Sequence, residues 1–258
     1  MPAIGGQGQS AVATELKQRG LGYAFKVNAT VFQKYKTWAR YFHFDLNAGS
    51  GFNEEAGCIG SPLTFLAVMR QCGIHKYHAG FCELDGDRAK ALLRRSELDD
   101  MCYVHHGDNR ELVYAIPEII KHYGESPQYA IGSVLCDPNG TSNIPIDELA
   151  WLSGECTKVD FIIHWNSTSS KRQRNGVKPD ERSLEQVIAA LGKSHWLIRE
   201  PTAMHQFTLL VGRNMKAGDY KSLGFHHLDS AKGMDLLNKC DLTRDQYKRL
   251  AGQWDLLS

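Results

Sequence analysis

Residues 42–51, FHFDLNAGSG, run from an aromatic, strand-like segment into a turn of small residues. One carboxylate, Asp45, comes just before the turn. Ala48, Gly49 and Gly51 carry no large side chain, so a bound molecule can approach the main chain closely. The stretch therefore predicts a buried strand that ends in a pocket for a nucleotide-like ligand.

The composition is that of an ordinary globular protein. The chain has 258 residues, 42% of them hydrophobic and 23% charged, which is enough for one α/β domain with a substantial core. Its apolar runs are strand-sized and far shorter than the roughly 20 residues of a membrane-spanning helix. The N-terminal segment has no apolar core of the secretory kind, so we expect a soluble, cytoplasmic protein.

Charge, cysteines and histidines exclude some classes of function. The formal net charge of +1 gives no global basic field, so any contact with nucleic acid has to be local. The seven cysteines are scattered and form no C-x-x-C pair. The adjacent pairs His105–His106 and His226–His227 point in different directions in a strand or helix, which makes a shared metal ion difficult. We predict no metal site.

Strand-like and helix-like patterns alternate along the chain from about residue 26. Apolar strands such as HKYHAGFCELD and YAIGSVLCDPNG are separated by amphipathic helices, which is typical of a parallel sheet covered on both faces. The last two strands, SHWLIRE and QFTLLVGRN, are joined only by PTAMH. Because that link is too short for a helical crossover, we expect these two strands to form an antiparallel pair at one edge.

The predicted fold is accordingly a Rossmann-like α/β fold. Its mostly parallel seven-stranded sheet has an antiparallel edge strand and helices on both faces. We place this domain at residues 26–228. A flexible N-terminal lead-in is predicted at residues 1–25, and a helical C-terminal tail packed on the same domain is predicted at residues 229–258.

Polar side chains follow four of the predicted strands. They are Asp45 with the glycines, Glu83 with Asp85, Asp108 with Asn109, and Asp137 with Pro138. Since ligands bind at the carboxyl ends of parallel strands near the switch point, these groups should converge on one crevice. Glu83 is placed to accept from ribose hydroxyls. Asp108 is placed to accept from an adenine amino group, with Asn109 adding a contact at the base.

The glycine turn favours one nucleotide-like ligand over another. The dinucleotide fingerprint is G-x-G-x-x-G, whereas here AGSG is followed by the acidic loop FNEEAGCIG. Glu54 and Glu55 would repel a pyrophosphate. An acidic loop and acidic strand ends instead suit a ligand with a cationic centre, such as the sulfonium of S-adenosylmethionine.

The stretch YFHFDLNAGSGFNEEAGCIGSPLTFLAV resembles the first motif of class I S-adenosylmethionine-dependent methyltransferases, and most of all the version in the three-Cys-motif partner proteins. The blocks that carry the resemblance are Lys34-Tyr35 with Trp38, then DLNAGSG, then Gly60-Ser61-Pro62-Leu63. VLCDPNG is similar to the D-P-x-G of that family. The resemblance covers about residues 26–215. Asn47 departs from it, because the family tends to have phenylalanine there.

The resemblance implies a role for each of these residues. The methionine part of the cofactor would bind at Asp45 and the glycine turn, and the methyl acceptor would arrive at Asp137 and Pro138. The residues predicted to bind the cofactor are Asp45, Asn47, Ala48, Gly49, Gly51, Glu83, Asp108 and Asn109.

The acceptor is predicted from the segment Asp137-Pro138-Asn139-Gly140 and its surroundings. Enzymes that methylate amino groups of nucleic acid carry D-P-P-Y or N-P-P-F there, with an aromatic ring that stacks on the flipped base. This chain lacks that ring, which Trp165 can supply unless it is a core tryptophan. Basic side chains of the loop after the fifth strand can position a phosphate backbone unless the loop is only solvated. The predicted substrate-binding residues are Asn139, Trp165, Lys171, Arg172 and Arg174.

We therefore predict a methyltransferase that uses S-adenosylmethionine to modify nucleic acid, with a base amino group as the favoured acceptor. Two alternatives stay open. One is a small-molecule or protein methyltransferase on the same scaffold. The other is a cofactor-binding partner subunit without its own chemistry, which docks a companion protein through its helical tail.

Overall fold

The structure of the protein is a computed structural model. It describes residues 11–35, 39–54, 56–138, 140–174, 182–201, 207–216, 218, 220–242, 246–247 and 249, without the side chains of residues 11–13, 35, 172 and 173. Within these ranges, no helix combines the length and the apolar character needed to cross a membrane.

The described chain contains one large mixed sheet, one pair of short strands, and helices between them. The strands are β1 (Tyr41–Asp45), β2 (Phe52–Asn53), β3 (Cys58–Ile59), β4 (Tyr77–Glu83), β5 (Cys102–His106), β6 (Ile131–Cys136), β7 (Val159–Asn166), β8 (His195–Arg199), β9 (Phe207–Arg213) and β10 (Phe225–His227). The helices are α1 (Ala11–Tyr35), α2 (Ser61–Gln71), α3 (Gly86–Leu93), α4 (Asn109–His122), α5 (Ile146–Glu155), α6 (Ser167–Arg174), α7 (Leu184–Leu191) and α8 (Ala231–Asp241). Short 3-10 turns lie at Thr141–Asn143 and Lys221–Leu223.

The large sheet reverses its winding direction at β1. Its strand order is β10-β8-β9-β7-β6-β1-β4-β5, and β1 pairs in parallel with both β4 and β6. The chain runs outward from β1 through β4 to β5 and then places β6 on the opposite side of β1. Such a reversal is the switch point of a doubly wound sheet, where ligands bind beyond the carboxyl ends of the strands. The predicted parallel alternation is confirmed for β1, β4, β5, β6 and β7.

The antiparallel part of the sheet differs from the prediction in number and place. β9 is antiparallel to β8, as predicted, but it inserts between β7 and β8 and is not an edge strand. All of its residues are buried, which suits a strand with neighbours on both sides. β10 forms the edge beyond β8 and makes the sheet eight-stranded rather than seven-stranded. Its three residues, FHH, are too few to show a strand period in the sequence.

Helices cover both faces of the sheet, as predicted. Side chains alternate along β1, so that Tyr41 joins the core beneath α1 and α2, whereas Phe42 and Phe44 join the core beneath α4 and α5. Helix α8 lies within the predicted tail and packs against α7 and β8. It buries Leu236 and Leu237 in the same core as α4 and α5.

Helix α1 differs from the predicted flexible lead-in over the described residues 11–25. The helix was expected from about residue 26, but it begins at Ala11. Leu21, Ala24 and Phe25 are fully buried in the core beneath α1 and α2. Glycines lower helix propensity, so Gly20 and Gly22 weaken the sequence signal for this part of the helix. A Cβ atom at Gly20 would come 3.0 Å from Leu209 on β9, so this glycine permits close packing of α1 on the sheet.

Candidate functional site

The turn after β1 is shaped by two glycines in the left-handed backbone region. The φ angle is +65° at Gly49 and +75° at Gly51, values that residues with side chains rarely adopt. At Gly51, a Cβ atom would also come within 2.8 Å of the Leu92 Cδ1 methyl group. Glycine is therefore required at both positions by backbone conformation, and at Gly51 by space as well.

Glu83, the last residue of β4, ties the turn to the neighbouring strand. Its Oε2 accepts a hydrogen bond of 2.8 Å from the main-chain N–H of Gly49, and its Oε1 accepts one of 2.9 Å from the N–H of Asp85. A carboxylate offers about four lone-pair positions. Both oxygens of Glu83 can therefore accept further hydrogen bonds from a ligand.

Asn47 joins the ends of β1 and β6. Its Oδ1 accepts a hydrogen bond of 3.1 Å from the main-chain N–H of Asp137. The main-chain N–H of Asn47 donates to Oδ1 of Asp45 at 3.0 Å. A phenylalanine at position 47 has no side-chain acceptor for the N–H of Asp137. The departure from the three-Cys-motif partner pattern therefore has a structural role in this chain.

Asp108 caps the helix that follows β5. Its Oδ1 accepts a hydrogen bond of 2.8 Å from the main-chain N–H of Arg110, and Asn109 is the first residue of α4. The guanidinium of Arg110 lies 3.1 Å from the carboxylate of Glu148 on α5. The cap thus occupies one oxygen of Asp108.

The ends of β1, β4, β5 and β6 surround a cavity of about 810 Å³. That volume is in the range of sites for drug-sized ligands. Leu84, a large apolar side chain that is 73% exposed, also lines it. Within the described residues, no group of three or more histidine, cysteine and acidic side chains is placed to hold a metal ion. The predicted site residues that line the cavity are Asn47, Ala48, Gly49, Gly51, Glu83, Asp108, Asn109, Asp137 and Pro138.

Asp45 does not line the cavity, in contrast to the prediction that it contacts the cofactor. Its side chain is fully buried beneath the turn. Burial raises the pKa of Asp45 to about 7, although the hydroxyl of Ser61 and the N–H of Asn47 act to lower it. Asp45 therefore stabilises the start of the turn by accepting from the N–H of Asn47. Its charge depends on pH near neutrality.

Asp137, directly after β6, makes one contact through each carboxylate oxygen. Nζ of Lys17 lies 2.7 Å from Oδ2, and Nδ1 of His164 lies 2.9 Å from Oδ1. Burial acts to raise the pKa of Asp137, but Lys17 and His164 outweigh it and hold the pKa below its ordinary value. The side chain of Asp137, only 6% exposed, is therefore an oriented, ionised carboxylate at neutral pH.

Helix α1 contributes to the cavity, which the sequence patterns did not predict. Thr14, Lys17 and Gln18 line the cavity, but they belong to no motif and lie in the predicted lead-in. Their spacing was the available signal. Positions 14, 17 and 18 continue, toward the N-terminus, the helical face that carries Leu21 and Phe25.

Trp165 is a core residue rather than a stacking ring in the cavity. It lies in β7, its side chain is 1% exposed, and it belongs to the core beneath α4 and α5. The cavity lining does not include it. Trp165 therefore packs in the core and does not stack on a ligand, because inward positions of an internal strand are covered by helices.

The predicted basic loop begins with helix α6, and its described cations contact α8. Nζ of Lys171 donates to the main-chain carbonyl of Lys239 at 2.7 Å, and Arg174 pairs with Asp241 at 2.8 Å. The last carbonyls of a helix lack intrahelical partners and attract cations. These two side chains therefore cap α8 and do not line the cavity. Asn139 and the side chain of Arg172 lie outside the described residues.

Comparison with known proteins shows a likeness of fold. No protein-family model and no curated protein matches the sequence. Protein LPL1258 from Legionella pneumophila is similar in structure, with a TM-score of 0.56 and 12% identity over 80% of this chain and 88% of that one. Human methyltransferase-like protein 13 in complex with SAH has a TM-score of 0.48 and 14% identity over 93% of this chain and 99% of that one. A probable spermidine synthase from Corynebacterium glutamicum has a TM-score of 0.49 and 9% identity over 91% of this chain and 77% of that one.

At such low identity, the similarity to the Legionella protein concerns the fold alone. The strand order around β1 defines this chain as a Rossmann-like α/β protein, and an antiparallel strand enters the sheet after the parallel set. Membership of the three-Cys-motif partner family stays a prediction.

Proposed function

We propose that this chain is an S-adenosylmethionine-dependent methyltransferase that binds its cofactor in the cavity at the ends of β1, β4, β5 and β6. The observation that carries the proposal is the hydrogen bond from the Gly49 N–H to the Glu83 carboxylate in the cavity wall. It sets a glycine turn beside an acid at the end of the next strand. In nucleotide-binding α/β folds, an acid at this place accepts from the ribose hydroxyls.

The charge and the apolar surface of the cavity support an adenosyl ligand with a positive sulfur. Glu83, Asp108 and Asp137 line the cavity, and Asp45 lies beneath its glycine turn. The cavity lining has five carboxylates, on Glu54, Glu83, Asp85, Asp108 and Asp137, and three cations, on Lys17, Arg88 and Arg110. This excess of negative charge favours a ligand with a cationic centre over a pyrophosphate. The exposed side chain of Leu84 offers an apolar surface for the face of an adenine ring.

Methyl transfer is proposed to take place beside Asp137 and Pro138. The lone pair of the acceptor nitrogen forms a bond to the methyl carbon while the methyl–sulfur bond breaks and its electron pair stays on sulfur, which leaves S-adenosylhomocysteine. The ionised carboxylate of Asp137 accepts a hydrogen bond from the acceptor and aligns its nitrogen. We propose a nucleic-acid base as the acceptor because Asp137 and Pro138, the part of the amino-methylating motif that is present, line the cavity.

A small-molecule or protein acceptor is the second candidate, and the contacts of α6 favour it. Lys171 and Arg174 are engaged with the end of α8, so these two cations are not free to hold a phosphate backbone at the cavity. Removal of the phosphate contacts weakens the main source of affinity for nucleic acid.

The test begins with the cofactor. S-adenosylmethionine is titrated by calorimetry into the parent, into Glu83→Ala, and into the control Glu118→Ala, whose side chain is exposed on α4. We expect binding to the parent and the control and much weaker binding to Glu83→Ala. No binding to the parent would overturn the proposal.

Labelled cofactor is then incubated with DNA, RNA, a protein extract and small amines. Labelled nucleic acid supports the first candidate, and labelled protein or small molecule supports the second. Cofactor binding without transfer to any acceptor would favour a partner subunit. A variant Asp137→Ala that binds the cofactor and methylates as fast as the parent would refute the role proposed for Asp137.

A further inference from the structure

Helix α1 consists of a half that is anchored in the core and a half that lines the cavity. Leu21 and Phe25 are fully buried, and the side chain of Asn28 accepts a hydrogen bond of 2.6 Å from the buried guanidinium of Arg213 on β9. One to two helical turns earlier, Lys17 and its neighbours line the cavity. The anchored half therefore fixes where the side chain of Lys17 lies.

Lys17 brings a primary amine to the carboxylate that is proposed to receive the methyl acceptor. Its Nζ lies 2.7 Å from Oδ2 of Asp137, and the side chain of Lys17 is only 17% exposed. Both residues line the cavity, so the contact belongs to its wall. Nδ1 of His164 lies 2.9 Å from Oδ1 of Asp137, and Oδ1 of Asn47 accepts a hydrogen bond from the main-chain N–H of Asp137. An amino group of the chain itself therefore occupies Oδ2.

We infer that the amine of Lys17 occupies the subsite of the methyl acceptor at Asp137. An acceptor with a primary amino group displaces Lys17 from that subsite. This inference rests on the proposed function for the transfer itself, whereas the existence of an amine subsite is independent of it. The chemistry that recognises the acceptor is that of the lysine tip, a primary amino group that donates to Oδ2 of Asp137. Lys17 is then a specificity-determining residue of the acceptor subsite.

The geometry explains why such an arrangement selects for amines. An acceptor has to replace a charge-assisted hydrogen bond, which is roughly twice as strong as a neutral one. An amine can restore that bond as the Lys17 amine does, and a protonated amine also restores the ion pair with Asp137, which a hydroxyl cannot do. The anchored half of α1 holds the main chain in place, so the displacement concerns the side chain of Lys17.

The first experiment tests the subsite without any methyl transfer. Lys17→Ala removes three carbons and the amine, which together have the shape of propylammonium. Binding of labelled propylammonium is measured by equilibrium dialysis on the parent, Lys17→Ala, Lys17→Ala with Asp137→Asn, and the control Lys26→Ala, whose side chain is exposed on the same helix. We expect binding to Lys17→Ala to be at least about tenfold tighter than to the parent, a factor that corresponds to about 1.4 kcal/mol. Propylammonium binding should disappear in the double variant. In Lys26→Ala it should stay at the parent level. Equal binding to the parent and Lys17→Ala would overturn the inference.

The second experiment measures displacement during turnover. Aniline, a neutral primary amine at about pH 7.5, is offered with labelled S-adenosylmethionine. Lys17→Ala is expected to methylate it at least about tenfold faster than the parent. Lys26→Ala, whose side chain is exposed on the same helix, is expected to remain at the parent rate. A Lys17→Ala rate at or below that of the parent, with normal cofactor binding, would overturn the inference.

Two controls separate the possible failures. Circular dichroism checks that Lys17→Ala is folded; if it is not, Lys17→Met, which keeps the stem but not the amine, replaces it in the turnover assay with the same expected direction. If calorimetry finds no cofactor binding to the parent, the proposed function fails, and the propylammonium result still decides whether the amine subsite exists.

Discussion

Replacing Asp45 by asparagine should flatten the pH dependence of the free energy of unfolding between about pH 4 and pH 7. Asp45 is fully buried beneath the glycine turn, and burial raises its pKa from 3.8 to about 7. The folded state therefore binds a proton on Asp45 more tightly than the unfolded state does. Asparagine has a similar shape and does not titrate, so it removes this difference.

The sign and the size follow from the two pKa values. Below pH 3.8, Asp45 is protonated in both states, and its contribution to stability is fully present. As the pH rises through about 7, the folded state has to keep a buried carboxylate ionised, and that contribution is lost. A difference of about three pKa units corresponds to about 4 kcal/mol as an upper limit. The parent should lose up to this much stability over the interval relative to the variant.

Urea unfolding, followed by tryptophan fluorescence at several pH values from 4.5 to 8, measures the effect. The informative quantity is the slope of stability against pH, because an amide introduces buried N–H donors that shift stability at every pH by about 1–3 kcal/mol. Asp87→Asn is the matched control, since the Asp87 side chain is 98% exposed, and its curve should run parallel to that of the parent. Parallel curves for the parent and Asp45→Asn would refute the reasoning.

Three further predictions concern the turn, the carboxylate at the end of β4, and the end of α8. Gly51→Ala should lower the free energy of unfolding by about 1–3 kcal/mol, measured by urea unfolding, because alanine is strained at this φ and its Cβ meets Leu92. Glu83→Ala should weaken S-adenosylmethionine binding in calorimetry by at least about tenfold. The variant loses the hydrogen bond from the Gly49 N–H, and it also loses the carboxylate that is proposed to accept from the ribose hydroxyls. Arg174→Met should lower stability by about 1–3 kcal/mol in urea and leave nucleic-acid affinity unchanged in filter binding, because this side chain pairs with Asp241; a loss of nucleic-acid affinity at unchanged stability would contradict that assignment.

The parts of the fold that the sequence predicted are those that depend on neighbouring residues and on general sheet geometry. The alternation of strands and helices follows from local periodicity, and the convergence of Glu83, Asp108 and Asp137 on one cavity follows from the common direction of parallel strands. The position of β9 in the sheet could not be predicted from local periodicity or strand direction. A short link determines that β8 and β9 are antiparallel, but it leaves open that β9 inserts between β8 and β7.

The roles of several side chains likewise depend on partners that are distant in the sequence. The basic residues after β7 show positive charge in the sequence, but the partners of Lys171 and Arg174 lie on α8, far along the chain. Trp165 is aromatic whether it stacks on a ligand or packs in the core, and only the helices that cover β7 decide between these roles. Asn47 departs from a family pattern, and its reason is the N–H of Asp137 on another strand.

By itself, the sequence determined that a glycine turn after an apolar strand opens a site lined by strand-end acids, because small residues, backbone freedom and the direction of parallel strands are local or general properties. The tertiary structure alone decided that Asp45 lies beneath that turn rather than in the cavity, and that Lys17 reaches Asp137. Both depend on how α1 and the sheet pack together, and packing between segments distant in sequence sets burial, pKa and ion pairing in a way that no local pattern records.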